Sequence, residues 1–339
     1  MPRRFFPQKF LSRLVRFIKN QPPLATKDVF IGGLPVGRGR PCFFAAEIGI
    51  NHNGSLEIAK KLIDAAAFAG AQAVKFQKRT VAKVYSPEEL AKPRVVDRAV
   101  LENAVKRGVL SREAVERLQR SDFKDSTNGD LKWALEFTES EYRELFAYAK
   151  ERGLLCFASP WDLDSIDFLE KLNPPCHKVA SAMITNHSLL RKIRTTGRPI
   201  VLSTGMSTMD EIKAAINIAG LDNLIILHTV STYPSKEEEL NLQLITHLRG
   251  LFPTVPIGYS GHEKTLAPSL MAVSLGAHLI ERHLTLDKTM FGTDQSASLE
   301  PQEFAQLIHD VRLIEQAAGG RVKQVMSSEV PIREKLRKV

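Results

Sequence analysis

Cysteine is scarce in this chain, three in 339 residues, at positions 42, 156 and 176. An odd count without CxxC spacing excludes a disulfide framework and a structural zinc site. It leaves three small buried hydrophobes in or beside apolar runs, as in a reducing compartment; a cytoplasmic location is expected. Long apolar runs are also missing. None approaches the roughly 18 residues of a membrane span, and residues 1–25 lack the apolar core of a secretion signal. No GxGxxG follows a strand-like run, so the dinucleotide-binding fingerprint is absent. Acidic residues fall short of basic ones, 38 against 47, giving a net charge of +9 and a pI near 9.4. The excess is spread along the chain without aromatic–basic interleaving. That favours anionic small substrates over nucleic acid.

What the chain does have is repetition. Short apolar runs, each suited to a strand buried on both faces, occur at Cys42–Gly49, Ala73–Lys78, Leu154–Pro160, His177–Ser181, Pro199–Gly205, Leu224–Val230, Val255–Ser260 and His278–Leu284. Amphipathic helical patterns separate nearly all of them, at 56–69, 139–152, 163–171, 187–195, 208–220, 240–250 and 264–275, with a last one at 301–318. Eight successive β-α units predict an α/β fold, a (β/α)8 TIM barrel over 28–320, and its site at the C-terminal ends of the strands. Residues 28–41 read as a hairpin that could plug one end. Residues 79–138 interrupt the second unit with an insertion, far longer than such a connection needs. It reads either as a lid or substrate wall, or as a solvated decoration. Residues 1–27 are a basic extension in which Phe10, Leu11, Leu14, Val15 and Ile18 share one helical face. The helix over 5–19 is expected to dock on its own domain, on a partner or on an anionic membrane surface. Residues 321–339 are a short basic tail.

The strand ends carry the chemistry. They supply Glu47, Asn51 and His52; Lys75, Gln77 and Lys78; Ser159 and Asp162; Lys178 and Ser181; Ser203 and Thr204; His228, Ser231 and Tyr233; Ser260 and His262; and Glu281, Arg282, His283 and Thr285. Lys75 and Lys178 with Ser159, Ser181, Ser203 and Thr204 are ammonium groups and short donors around one axis. Such a set suits a phosphate plus a carboxylate, and lysines inside a barrel need an anion. His228 and His262 come from neighbouring strands. With Glu47 nearby they suit a divalent metal, or each is a structural hydrogen-bonder; the residues leave both open. An anion pocket beside a metal implies a phosphorylated acid reacting with a carbonyl polarised by the ion.

In order along the chain stand E-I-G-I-N-H-N-G, V-K-F-Q, K-V-A-S, L-S-T-G-M, L-H-T-V-S-T-Y-P, I-G-Y-S-G-H, E-R-H-L-T-L-D and G-T-D-Q-S-A-S-L-E-P. Over roughly residues 28–318 this series resembles the sialic acid synthase (N-acetylneuraminate synthase) family. The resemblance implies condensation of phosphoenolpyruvate with an N-acetylated, N-acetylmannosamine-like hexosamine, giving a nonulosonic acid and phosphate. It implies a divalent metal, Mn2+ first with Mg2+ or Co2+ as substitutes, on His228 and His262. It assigns phosphoenolpyruvate to Lys75, Ser159, Lys178, Ser181 and Ser203, proton transfer to Glu47, and the sugar side to Tyr233 and Asp294; Gln77 joins the substrate-binding set. Family members commonly have an acidic residue two positions after Ser181; Met183 stands there, and Thr185 or Asn186 is expected to take over its contact. Full-length members add a C-terminal antifreeze-like domain that, in a swapped homodimer, lends an arginine to the partner's sugar site; this chain stops at Val339. Two other functions are kept open, a related synthase using another aldose or an aldose phosphate, and a barrel that binds these ligands without turnover.

Overall fold

The computed structural model describes residues 26–320 and 322–337. The basic helix expected at 5–19 lies outside them. Val29–Ile31 (β1) and Leu34–Val36 (β2) form the expected hairpin. Eight parallel strands follow: Phe43–Gly49 (β3), Ala73–Lys78 (β4), Leu155–Pro160 (β5), His177–Val179 (β6), Ile200–Ser203 (β7), Leu224–Thr229 (β8), Ile257–Gly261 (β9) and Leu279–His283 (β10). The ladder runs β5-β4-β3-β10-β9-β8-β7-β6, and β5 packs beside β6 to bring the ends of the sheet together. This is the TIM barrel anticipated from the eight runs. No helix among the described residues is long and apolar enough to cross a membrane.

Each strand buries both faces, and side chains alternate between them. The outward row packs under the helices: Phe44, Ala46 and Ile48 of β3 meet Leu62, Ile63 and Ala66 of the helix Leu56–Ala69 in the main core. That helix starts where Ser55 Oγ accepts from the Ile58 amide at 3.2 Å. The inward row begins apolar. Phe43 and Ala45, Phe157, Val201, Ile225, Leu227 and Leu279 fill the barrel floor together with Val29, Ile31 and Val36 of the hairpin. The hairpin therefore plugs the N-terminal end. Each large apolar side chain buried there contributes roughly 1.5–3 kcal/mol.

The insertion after β4 has its own small core, Val96, Val100, Leu101, Ala104, Leu118, Leu131 and Ala134, with Phe291 from the barrel packed against it. Its charged part holds two helices, Arg98–Arg107 and Arg112–Arg120, the first ending at Gly108. Arg107 bonds Glu141 Oε1 at 2.7 Å and the Ala134 carbonyl at 2.8 Å. Asn103 Nδ2 donates to the Gly54 carbonyl at 2.9 Å. Gly54 has φ +71°, and a Cβ there would overlap the Ala134 carbonyl oxygen. Only glycine lets the first strand–helix loop sit this close to the insertion. The insertion is thus a fixed wall rather than a solvated decoration. The tail ends in an exposed helix, Val330–Leu336.

Candidate active site

Two residues above the apolar floor, the same inward rows turn polar. The strands place Glu47 on β3, Lys75 and Gln77 on β4, Ser159 on β5, Lys178 on β6, Ser203 on β7, Thr229 on β8, Ser260 on β9, and Glu281 and His283 on β10 around one cavity of about 210 Å³. Ser181, Ser231, Tyr233, His262 and Trp161 complete its wall from the loops just beyond the strand ends. A larger groove of about 620 Å³ lies by the insertion and the helices around Phe168, away from these charges.

Four buried charges set the electrostatics. Lys75 Nζ is 2.7 Å from Glu47 Oε2 and 3.6 Å from Glu281 Oε1, and donates to Ser159 Oγ at 3.2 Å. Lys178 Nζ is 3.6 Å from the same Glu281 oxygen and donates to Ser203 Oγ at 2.7 Å. Glu47 Oε1 accepts from Gln77 Nε2 at 2.9 Å. Burial alone would strip charge from all four. For Lys75 burial is overcome by Glu281 and Glu47, and its ammonium stands above the ordinary lysine value. Lys178 has only the more distant pairing, so burial brings it down to about 8. Burial would raise Glu281, but Lys178, Lys75 and His283 hold it at about 2. Two ammonium groups, one weakly compensated, lie among the hydroxyls of Ser159, Ser203 and Ser231. Ser231 Oγ is buried with no partner. This half of the cavity is built to receive an anion.

The opposite half holds imidazoles, though not the expected pair. His262 and His283 face each other with ring centroids 5.4 Å apart. His228 points out of the barrel. On β8 Ile225, Leu227 and Thr229 face inward, so His228 shares the outer row with Leu224 and Ile226. Its Nε2 donates to the Leu240 carbonyl at 2.6 Å, and it stacks beside Tyr259. The strand's period of two corrects the assignment of His228 to the site. His283 was within reach of the same rule. Its register partner is Glu47, and Glu281, two residues earlier, shares its face.

His262 Nδ1 donates to the Val230 carbonyl at 2.6 Å, so Nε2 keeps its lone pair. Burial and then His283 lower His262 to about 3. His283 Nδ1 is buried with no hydrogen-bond partner and lies 4.0 Å from Asp294 Oδ2. Gly49, at φ +56°, passes so near that a Cβ would press on Glu47 Oε1, Gln77 Nε2 and the His283 ring. Tyr233 stacks on His262 at 4.2 Å, half-exposed at the mouth.

Asp294 therefore joins the site through His283 rather than by lining the cavity. Other strand-end residues are structural. Asn51 ties Leu284 and Ser298 together. His52, lowered to about 3 by burial and then Arg107, packs on Phe137 at 4.3 Å. Asp162 caps the helix Leu163–Glu170 and accepts from Thr80. Met183 packs against the core, Asn186 caps the helix His187–Thr195, and Thr185 is exposed. Neither Thr185 nor Asn186 lines the cavity; Ala182 does.

The NeuB family matches residues 103–323. The chain belongs to the NeuB family. Its similarity reaches well beyond that segment. N-acetylneuraminate-9-phosphate synthase of Homo sapiens is 41% identical over 306 residues, which cover 89% of this chain and 78% of that one. N,N'-diacetyllegionaminic acid synthase of Campylobacter jejuni is 35% identical over 289 residues, 84% of this chain and 79% of that one. The crystal structure of an N-acetylneuraminic acid synthetase from Leptospira borgpetersenii, in complex with citrate, superposes with a TM-score of 0.71 at 30% identity, covering 93% of this chain and 99% of that one. This NeuB chain is accordingly an enzyme of the N-acetylneuraminate synthase type.

Proposed function

We propose that this NeuB enzyme condenses phosphoenolpyruvate with an N-acetylated hexosamine. One observation carries the reading: the cavity joins a lysine–serine anion half to an imidazole–carboxylate half across Glu47 and Glu281. The synthases it resembles are named for making N-acetylneuraminate 9-phosphate and N,N'-diacetyllegionaminic acid, which supports a condensation of this kind.

In this reading Lys75, Lys178, Ser159, Ser203 and Ser231 bind the phosphate and carboxylate of phosphoenolpyruvate, with Ser181 at their edge. Its C3 forms a bond to the aldehyde carbon of the open-chain sugar, and the aldehyde oxygen takes up a proton. Water adds at C2, losing a proton, and the C2–O bond breaks to release phosphate and leave the 2-keto acid. Glu47 is the proton carrier. It sits 2.7 Å from Lys75 Nζ and in register with His283, at the boundary of the two halves. Gln77 fixes its orientation through Oε1. Tyr233 and Asp294 flank the sugar side.

The imidazole half fits a divalent cation. His262 presents Nε2 because Nδ1 is engaged, and His283 Nδ1 is a buried nitrogen without a partner. Among the described residues no group of three or more His, Cys, Asp or Glu side chains converges as a closed metal cage. Two imidazoles leave open positions, as a catalytic rather than structural ion requires. Such an ion, Mn2+ above all, would supply Lewis-acid polarisation of the sugar's aldehyde oxygen.

The test is incubation with phosphoenolpyruvate, Mn2+ and a panel of N-acetylated aldoses. Phosphate release is measured, with mass spectrometry of the product. The expected outcome is phosphate and a nonulosonic acid in equal amounts. No release with any aldose overturns the reading.

A further inference from the structure

His262 and His283 come from neighbouring strands whose shared ladder stops one residue short of both. The register of β9 and β10 ends at Gly261 opposite Arg282. His283 still lies in β10, opposite Glu47 of β3. His262 lies just past the end of β9, in the loop that follows. Its ring is held by the Val230 carbonyl, and its own carbonyl accepts from the Ser235 amide at 3.1 Å. Those contacts tie it to the loop after β8. They do not set its distance from β10.

That distance is bridged outside the barrel wall. Successive side chains on a strand point to opposite faces, so Arg282 turns outward where His283 turns inward. Glu263, the residue after His262, meets it there at 2.8 Å, and both side chains are fully buried. The same guanidinium donates to the main-chain carbonyl of Glu263 and, at 3.2 Å, to that of Thr265. It therefore grips the backbone of the loop as well as its carboxylate. Ser269, on the helix Ala267–Ser274, accepts from Arg282 at 2.9 Å and donates to Glu263 Oε1 at 3.2 Å. Tyr259, in the outer row of β9, donates to Glu263 Oε2 at 2.8 Å. A buried pair of this kind adds little stability over apolar side chains of the same volume. What it adds is direction, because a planar guanidinium with fixed donors allows one placement of the loop against β10. Any slip there passes to the imidazoles, each one residue away from a member of the pair.

We propose that Glu263, Arg282 and Tyr259 are positioning residues that hold His262 against His283 at the separation a divalent cation needs. This rests on the reading above that these two imidazoles bind such an ion. The inner rows carry the ligands, and the network behind the wall sets their spacing.

The experiment titrates Mn2+ alone into the full chain by calorimetry, with the thermal midpoint measured alongside. The double variant Glu263→Leu/Arg282→Met removes both buried charges together, so that neither is left uncompensated. It should keep its midpoint within a few degrees and bind Mn2+ at least about tenfold more weakly, the scale of losing a ligand's supporting contacts. Tyr259→Phe should weaken binding several-fold. Arg282→Lys keeps the charge but not the fork, and it too should weaken binding at least several-fold; a purely electrostatic role predicts no change. At saturating Mn2+ the KM for phosphoenolpyruvate should stay within about threefold of wild type in Tyr259→Phe. Wild-type Mn2+ affinity in both the double variant and Arg282→Lys overturns the proposal and leaves the cation site standing. If wild type binds no Mn2+, or His262→Ala binds it equally well, the cation reading fails instead. The network is then judged on the metal-free protein, from histidine ring signals in nuclear magnetic resonance assigned through His→Ala variants. Displacement of the His262 and His283 signals in the double variant, with His177 unmoved, supports positioning. Unmoved signals overturn it, as does a double variant that fails to fold while Tyr259→Phe leaves the signals of both rings in place.

Discussion

The two ends of the barrel interior use the same eight strands and the same inward rows, yet they share little chemistry. At the N-terminal end Phe43, Phe157, Ile225 and Leu227 meet the hairpin in a dry apolar floor. Two to four residues further along those rows stand Glu47, Ser159 and Thr229, joined from β4, β6 and β10 by Lys75, Lys178 and Glu281. The floor gains stability from every methylene it buries. The upper layer gains none that way, because its charges are stable only through one another. Stability is thus concentrated where no ligand reaches, and strained electrostatics where a ligand can relieve it.

The contrast breaks first, if it breaks, at the imidazoles. His262→Ala should lower the rate of condensation about 10³-fold or more while leaving the thermal midpoint within a few degrees. Turnover within tenfold of wild type would remove the imidazole half from the mechanism. The floor should behave in the opposite sense. Phe157→Ala should cost about 3–4 kcal/mol in denaturant titration, with the KM for phosphoenolpyruvate within about threefold in the protein that remains folded. A large KM change there would show that floor and site are not separable.

A smaller effect concerns pH. Lys178 sits at about 8, and its charged form binds the anion. Above that pH the KM for phosphoenolpyruvate should climb on the order of tenfold per unit. The free protein should respond with the reverse sign. An unfolded lysine keeps its proton to higher pH than Lys178 does, so between about 8 and the ordinary lysine value the unfolded chain holds more protons. Stability then rises with pH across that window. Lys132, also held at about 8, adds in the same direction. Lys178→Met should remove the KM dependence; a profile identical to wild type would count against the assignment. The smallest change is expected at His228. His228→Gln loses one buried hydrogen bond, about 1 kcal/mol, and should retain turnover, since the ring points away from the cavity.

Most of the fold and about half of the site were legible in the chain. The eight strands emerged as apolar runs because a parallel barrel buries both faces of each, and the predicted β4 limits match the structure residue for residue. Glu47, Lys75, Gln77, Ser159, Lys178, Ser181, Ser203, Tyr233 and His262 do line one cavity. The histidine pair was misread because two residues at strand ends look alike until their parity is counted against the inward row. Counting from Leu227 puts His228 outside, and counting from Glu281 puts His283 inside. The insertion resisted reading for a different reason. Its helices are short and highly charged, so their periodicity does not show which face meets the barrel.

By itself the sequence determined the number of strands, their order and which residue types stand at their C-terminal ends, because these follow from local hydrophobic periodicity. Only the tertiary structure decided the partnerships: which carboxylate compensates which lysine, and which imidazole faces His262. Pairing energies depend on distance and burial between residues far apart in the chain, such as Lys75 and Glu281. No local pattern encodes these, and barrel closure settles them.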